Sequence, residues 1–309
     1  MKLCPEPLWE ELCRADPTCT FFQTPAWHGI AARYYQAESI PLLFKFGDQV
    51  ACLPLLRKRR WGFYRYFSPF GTYTALVAAT QLKPEVLHSI EKSLRNLHLD
   101  LVSSPFTVNP LSVGTSKISR VQVIDLKALD PNNLLRDWEE GQQRRLRVAR
   151  REGVEVRLAN SSAEWERYFE LYQLTLKRWG DKTRVRYAKN LFDDIQLLIT
   201  KKIEVKLWIA EHQNQIGAGY ITFYHNRHVI PWHGAADNAF FSKGATQSLF
   251  FTIINDALQK GYAYFDLTGS GGLAGVEVFK SRFGTKTVEF RSSLNRPGIW
   301  AVVDFLRRK

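Results

Sequence analysis

The sequence predicts an α/β fold with mixed sheets, built from two tandem copies of one domain. Its 309 residues suit two medium domains, because domains usually hold about 100–200 residues. A strand, a polar turn and a second strand occur at residues 42–56 and again at 207–221. In each half a third strand, a helix and a final strand follow. The final strand carries Asp100 in the first half and Asp266 in the second.

The two halves repeat with a constant offset. Val50 corresponds to Ile216 and Asp100 corresponds to Asp266, so both pairs lie 166 residues apart (216 less 50, and 266 less 100). An equal offset at both ends favours a duplicated domain. The alternative is that similar strand and turn patterns recur by chance, as they do in many α/β proteins.

Helical segments flank the hairpin in each half. In the first half, helices are predicted at residues 25–35 and 83–97, the second with Pro84 in its first turn. In the second half, they are predicted at 163–178 and 246–260, where apolar residues recur with helical spacing. Gly261 is a natural end for the last of these helices. The order of helix, hairpin, third strand, helix and strand fits the N-acetyltransferase (GNAT) topology. Each half is therefore predicted to be a GNAT-like, acyl-CoA N-acyltransferase-like domain.

A basic helix is predicted between the halves, over residues 131–152, ending at Gly153. Arg144, Arg147 and Arg151 share one face of it by their i, i+3, i+7 spacing. Such a face binds phosphate groups in some proteins and is merely solvated in others, and the sequence leaves both interpretations open.

Charge and composition restrict the partners. The net charge of +13 and the pI of about 9.6 favour polyanions such as RNA, nucleotide phosphates or an anionic membrane face. Four cysteines without ligand spacing predict free thiols and no metal site. No apolar run approaches the roughly 20 residues of a transmembrane helix, and residues 1–6 do not resemble a signal peptide. We therefore expect a cytoplasmic protein.

Four segments together resemble the FemABX family, whose members add amino acids from aminoacyl-tRNA to peptidoglycan precursors. Phe22 to Trp27 resembles an N-terminal family segment, and Gln143 to Val154 resembles the basic helix that opens the family's second domain. Gly261 to Leu267 resembles the family's Gly…Tyr-Phe-Asp strand, and Gly275 to Gly284 resembles its Phe-Lys-x-x-Phe-Gly motif. The helical sequence breaks at Trp179-Gly180, so the long coiled-coil arm of some members is not expected.

The resemblance implies two GNAT-like domains, residues 1–122 completed by 290–309, and residues 123–289. It implies a transferase without a tightly bound cofactor that uses a polyanionic co-substrate, aminoacyl-tRNA in preference to acyl-CoA. The acceptor would be an amine of a nucleotide- or lipid-linked peptidoglycan or exopolysaccharide precursor, and peripheral contact with the inner membrane face is compatible with this. An acyl-CoA-dependent N-acyltransferase and a non-enzymatic basic RNA-binding protein are the alternatives.

Three residues are predicted to be catalytic. The resemblance places a functional lysine at Lys280, where an ammonium would stabilise an oxyanion or a leaving group. His233, at the end of the third strand, is a candidate proton acceptor, with a hydrogen-bonded strand-end histidine as the alternative. Asp266 is expected either to orient an amine or to cap the following turn.

The remaining candidates are assigned to substrate binding. The guanidinium groups of Arg144, Arg147 and Arg178 suit donor phosphates. The backbone N–H groups of a glycine-rich loop suit phosphate or carbonyl oxygens, and that loop contains Gly269, Gly271 and Gly272. Phe279 is the aromatic residue next to Lys280. Residues 241–246 occupy the place of the GNAT pyrophosphate loop but match it firmly only at Gly244, which favours a donor other than CoA.

Overall fold

The computed structural model describes residues 2–60, 62–182, 185–201, 203–271 and 273–298. Contacts within the chain divide it into two units, Met1–Arg120 with Glu289–Lys309, and Val121–Val288. The predicted domain boundaries at 122/123 and 289/290 stay predictions.

Both units alternate helices and strands. Unit 1 contains β1 (Lys2–Leu3), α1 (Glu6–Ala15), α2 (Pro25–Tyr35), β2 (Glu38–Phe46), β3 (Gln49–Arg60), β4 (Phe63–Phe67), α3 (Pro84–Leu94) and β5 (His98–Val102). The chain then passes through β6 (Thr115–Asp125) into unit 2, which contains α4 (Glu140–Glu152), β7 (Glu155–Leu158), α5 (Ser162–Trp179), α6 (Lys189–Thr200), β8 (Val205–His212), β9 (Gln215–His225), β10 (His228–Ala236), α7 (Ala245–Gln259), β11 (Tyr264–Gly269) and α8 (Ala274–Ser281). It returns to unit 1 through β12 (Lys286–Asn295).

The two units share one strand arrangement. In unit 1 the strands β1, β2, β3 and β4 pair antiparallel, β4 and β5 pair parallel, and β5 pairs antiparallel with β12. In unit 2 the strands β7 to β10 pair antiparallel, β10 and β11 pair parallel, and β11 pairs antiparallel with β6. The hairpin registers Phe46↔Gln49 and His212↔Gln215 again differ by 166 residues. The prediction of two tandem GNAT-like α/β domains is confirmed.

Each unit buries a core between its sheet and a helix. In unit 1, Leu53 and Leu55 of β3 pack with Ile90 and Leu94 of α3. In unit 2, the core includes a row of α7 side chains with helical spacing, Leu249, Phe250, Ile253, Ile254 and Ala257. The four cysteines are free and buried, as predicted.

Some predicted boundaries are wrong. The basic helix begins at Glu140 rather than at residue 131. Asp130 accepts a hydrogen bond from the Asn132 N–H, and the residues that follow form turns, because aspartate competes for the backbone. The third strand of unit 1, which the sequence predicts to extend from Phe63 to Phe70, ends at Phe67, and Phe70 lies in the left-handed region at φ 53°. The break after Trp179 is confirmed, with Gly180 at φ 53°.

Three helices were not predicted, namely α1, α6 and α8. Within the described ranges, no helix combines the length and apolar composition needed to cross a bilayer. The same residues contain no cluster of side chains that would hold a metal ion.

Candidate active site in unit 2

The parallel strands β10 and β11 diverge. They pair only at His228↔Tyr264 and Val229↔Phe265, although β10 continues to Ala236 and β11 to Gly269. An irregularity in the β9–β10 register, between Pro231 and His233, adds one residue to β10, and such bulges often redirect side chains next to active sites. A crevice outside the carboxyl ends of parallel strands is a common ligand site in α/β folds. We call the space between these strands the wedge.

Lys280 is held at the end of β11. Its Nζ donates hydrogen bonds to the carbonyl oxygens of Leu267 (2.6 Å), Thr268 (3.2 Å) and Gly269 (3.1 Å). These three bonds match the three donors of an ammonium group, and they brace a bend in which Thr268 has φ 57°. Burial lowers the pKa of Lys280 to about 8, although nearby carboxylates oppose this effect. The geometry supports a positioning role, and a direct role in charge stabilisation stays a prediction.

Asp266 supports the same bend. Its side chain is buried, and Oδ1 accepts a hydrogen bond from the Thr268 N–H at 2.7 Å. This is the turn-capping geometry that the sequence left open. The Asp266 carboxylate also acts electrostatically to raise the pKa of Lys280, against the larger effect of burial. Orientation of a substrate amine by Asp266 stays a prediction.

The Phe-Lys-x-x-Phe-Gly motif has a local structural role at each named position. Phe279 and Phe283 pack against each other with ring centroids 5.1 Å apart, and Phe283 lies 4.8 Å from Phe250 of α7. Gly284 has φ 69°, and a Cβ there would lie 2.7 Å from the Cβ of Asp137. The motif therefore anchors α8 and presents Lys280 to β11. Phe279 is half-buried in this packing, and its contact with substrate stays a prediction.

A buried tyrosine fixes the state of His233. Tyr168, on α5, is fully buried, and its Oη donates to the His233 carbonyl oxygen at 2.7 Å. The same Oη lies 2.6 Å from Nδ1 of His233. A hydroxyl has one proton, so Nδ1 must carry a proton and donate it to Oη. Nε2 then keeps its lone pair, and among the described residues it has no hydrogen-bond partner.

Aromatic rings surround His233. The nearest centroids belong to side chains of α5, α6, β10 and the segment before α6, namely Tyr172 (4.7 Å), Phe192 (5.2 Å), Trp232 (5.5 Å), Tyr168 (5.8 Å) and Tyr187 (5.8 Å). Burial lowers the pKa of His233 to about 3, because the apolar surroundings disfavour the charged ring. At neutral pH His233 is therefore a neutral imidazole. Tyr168 is not among the predicted site residues; its signal in the sequence is the i, i+4 pair that it forms with Tyr172.

The N-terminus of α7 is covered by α4. Gly244, the N-cap residue, has φ 69°, and a Cβ there would lie 2.2 Å from the Arg145 carbonyl oxygen. Gln247 donates to Gln142 at 2.7 Å, and both side chains are buried. Arg145 donates from Nη1 to the Phe241 carbonyl oxygen at 2.9 Å. The first turn of α7, where GNAT proteins would hold a pyrophosphate, is thus packed against another helix.

The predicted basic residues fall into two groups. Arg144 and Arg147 are exposed on α4, and within the described part of the chain neither forms an ion pair. Arg178 donates to the Ala236 carbonyl oxygen (3.0 Å) and to Asn238 Oδ1 (2.9 Å), and it lies over the Phe241 ring. Burial lowers the pKa of Arg178. Arg178 therefore braces the segment before α7, and its binding of phosphate stays a prediction.

The predicted glycine-rich loop follows β11. Gly269 and Gly271 are exposed, and Gly271 has φ 60°. Gly272 lies outside the described residues. Binding of substrate oxygens by this loop stays a prediction.

Comparisons with known proteins agree with this geometry. Residues 140–281 match the model of the acetyltransferase (GNAT) domain. Among solved structures, FemX is similar with a TM-score of 0.75 and 13% identity over 98% of this chain and 99% of that one. The C-terminal domain of a putative lysylphosphatidylglycerol synthetase from Agrobacterium fabrum has a TM-score of 0.59 and 12% identity, covering 96% and 93% of the two chains. L-PGS from Bacillus licheniformis has a TM-score of 0.56 and 12% identity, covering 99% and 96%.

No curated protein sequence matches the chain. Identities this low show the fold alone, and that fold is the FemABX-type, GNAT-like one that the motifs predict. The domain match over residues 140–281 supports an acyltransferase.

Proposed function

We propose that this chain, which has the fold of FemX and a GNAT acetyltransferase domain over residues 140–281, is a cytoplasmic aminoacyltransferase. It would move an aminoacyl group from aminoacyl-tRNA to an amine of a cell-envelope precursor. The observation that carries the choice of donor is the packing of α4 over the first turn of α7.

The packing of α4 argues against CoA. A helix N-terminus binds a pyrophosphate through free N–H groups that the ligand can reach. Here Ala245 and Gln247 are buried, and the space beside Gly244 does not admit even a methyl group. The covering helix instead exposes Arg144 and Arg147. A basic helix face suits a polyanion that is larger than CoA.

The wedge supports the chemistry of acyl transfer. The acceptor nitrogen attacks the ester carbonyl of the donor, a C–N bond forms, and the C–O bond to the ribose breaks. The amine loses a proton to a base, and the departing ribose oxygen gains one. Nε2 of His233 keeps its lone pair and would accept a hydrogen bond from the amine, and because the pKa of His233 is only about 3 it would pass the proton on to the departing ribose oxygen rather than retain it. Backbone N–H groups of the loop that follows β11, next to the bend braced by Lys280 and Asp266, would stabilise the oxyanion.

An acyl-CoA-dependent N-acyltransferase is the second candidate, and the match of residues 140–281 to the acetyltransferase domain favours it. The two candidates differ in the ligand that stabilises unit 2. A ligand that binds only the folded state raises the unfolding temperature by mass action.

The test is thermal unfolding with aminoacyl-tRNA, deacylated tRNA, acetyl-CoA and free CoA, followed by a transfer assay with labelled aminoacyl-tRNA and amine acceptors. We expect stabilisation by the tRNAs and incorporation of label that His233→Gln abolishes. Stabilisation by CoA esters, with no effect of tRNA, would overturn the choice of donor.

A further inference from the structure

The hairpin of β3 and β4 projects beyond its neighbours in the sheet. Strand β2 pairs with β3 only as far as Glu38↔Arg57, and β5 pairs with β4 only from Arg65↔His98. Beyond these points β3 and β4 pair only with each other, as far as Arg60↔Phe63. Three residues of β3 therefore extend past β2, which corresponds to ~10 Å at the rise of a β-strand.

The projecting segment is basic and aromatic. Residues 58–64, which extend past both neighbouring strands, contain three arginines and lysines and no acidic residue. Lys58 and Arg59 are exposed. The aromatic residues Phe63 and Tyr64 are 43% and 42% exposed. These two aromatic residues are consecutive in the chain, and Tyr64 pairs in register with Arg59, so the segment presents apolar and cationic groups side by side.

Among the side chains that the structure describes, the carboxylates paired with this hairpin lie at its base. Glu38 pairs with Arg57 at 2.5 Å, and Asp100 pairs with Arg65. Lys58 donates to the Tyr35 carbonyl oxygen at 2.5 Å, a contact that leaves its charge in place. Among the described residues Arg59 has no ion-pair partner. The charge that remains lies toward the turn, together with Phe63.

We propose that this hairpin docks unit 1 onto the surface of an anionic lipid bilayer. Aromatic side chains prefer the interface between headgroups and hydrocarbon, and each lysine or arginine near an anionic surface contributes about 1 kcal/mol. Because the hairpin extends past both neighbouring strands, its exposed side chains can reach a flat surface.

RNA fits this hairpin less well. Single-stranded nucleic acid is bound in basic grooves with open aromatic faces on which bases stack. In this hairpin the Arg57 guanidinium lies 4.5 Å from the centroid of the Tyr64 ring and covers one face of it. The inference concerns unit 1 and is independent of the donor proposed for unit 2.

The test is co-sedimentation of the full chain with phosphatidylcholine vesicles, with and without phosphatidylglycerol. We expect binding only to the anionic vesicles. The double variant Lys58→Gln/Arg59→Gln should weaken that binding by about 30-fold, which corresponds to about 2 kcal/mol for two cations. The matched control is Lys92→Gln/Arg95→Gln, which removes the same charge from exposed positions at the end of α3.

A second pair of variants separates insertion from charge attraction. Phe63→Ala should weaken binding to anionic vesicles, whereas Leu197→Ala, which truncates an exposed side chain of α6, should not. Thermal unfolding confirms that the variants are folded. The proposal is overturned if the wild-type chain does not bind anionic vesicles or if hairpin and control variants behave alike. It is also overturned if the hairpin variants lose affinity for RNA and keep their affinity for vesicles.

Discussion

Replacing Tyr168 by phenylalanine should alter the proton on His233 while leaving the ring packing intact. The Tyr168 hydroxyl is buried and holds both Nδ1 and the carbonyl oxygen of His233. Its removal leaves a donor and an acceptor without this partner, at a cost of about 1–3 kcal/mol. A loss of about 2 kcal/mol in the free energy of unfolding would lower the thermal unfolding midpoint by about 4–8 °C for a unit of this size.

The decisive readout is the imidazole tautomer, measured by ¹⁵N-detected NMR of labelled histidine. In the wild type we expect His233 to be neutral at pH 7, with its proton on Nδ1. In Tyr168→Phe the proton should shift toward Nε2, and kcat should fall more than KM rises. Tyr220→Phe is the control, since it also removes a hydroxyl from unit 2 and, within the described residues, Tyr220 has no hydrogen bond to His233. A wild-type His233 protonated on Nε2, or an unchanged tautomer in Tyr168→Phe, would refute the reasoning.

Three further outcomes are expected. Gly244→Ala should destabilise unit 2 by about 2–4 kcal/mol in urea unfolding, because backbone strain at positive φ combines with a clash against Arg145. The control Gly153→Ala, also at positive φ but in open space, should cost only about 1 kcal/mol. Equal costs for the two variants would contradict the packing of Gly244 against Arg145. Lys280→Met should speed amide exchange at residues 268–271, since three carbonyl contacts are lost; unchanged exchange would argue against its bracing role. Burial lowers the pKa of His28 to about 3, so the unfolded chain binds a proton below pH 6.5 that the fold excludes. His28 should therefore cost unit 1 about 2–3 kcal/mol between pH 7.5 and pH 4.5, and His233 should cost unit 2 a similar amount. In urea unfolding at the two pH values, His28→Gln should remove the share of unit 1 only, and an unchanged pH dependence in this variant would contradict the assignment.

The repeated strand order was predictable because it depends on local patterns. Alternating apolar runs and polar turns define the hairpins, and Gly261 and Gly180 mark helix ends through their backbone freedom. The offset of 166 residues between corresponding positions of the two halves follows from the amino-acid sequence alone. Helix α8 was missed because Gly275 and the preceding glycines indicate a loop, while its stability comes from Phe279 packing on other elements.

The chemistry of the site depends on tertiary contacts that no local pattern encodes. The sequence identified His233 and Asp266 as candidates, but the neutral state of His233 depends on Tyr168, 65 residues away. The basic helix was recognised from its arginines. Its packing against Gly244 becomes visible only when two elements about 100 residues apart are brought together. The residues of the Phe-Lys-x-x-Phe-Gly motif likewise acquired their roles from α7, β11 and Asp137.

A binding competition between the two candidate donors tests the proposed function most directly. Fluorescently labelled aminoacyl-tRNA would be titrated with the wild-type chain and with Arg144→Glu/Arg147→Glu, at two salt concentrations and with acetyl-CoA as competitor. We predict binding that weakens steeply with salt, because bound phosphates release counterions. It should also weaken in the variant and resist displacement by acetyl-CoA. Binding that acetyl-CoA displaces, or that neither salt nor the arginine substitutions affect, would contradict the proposal.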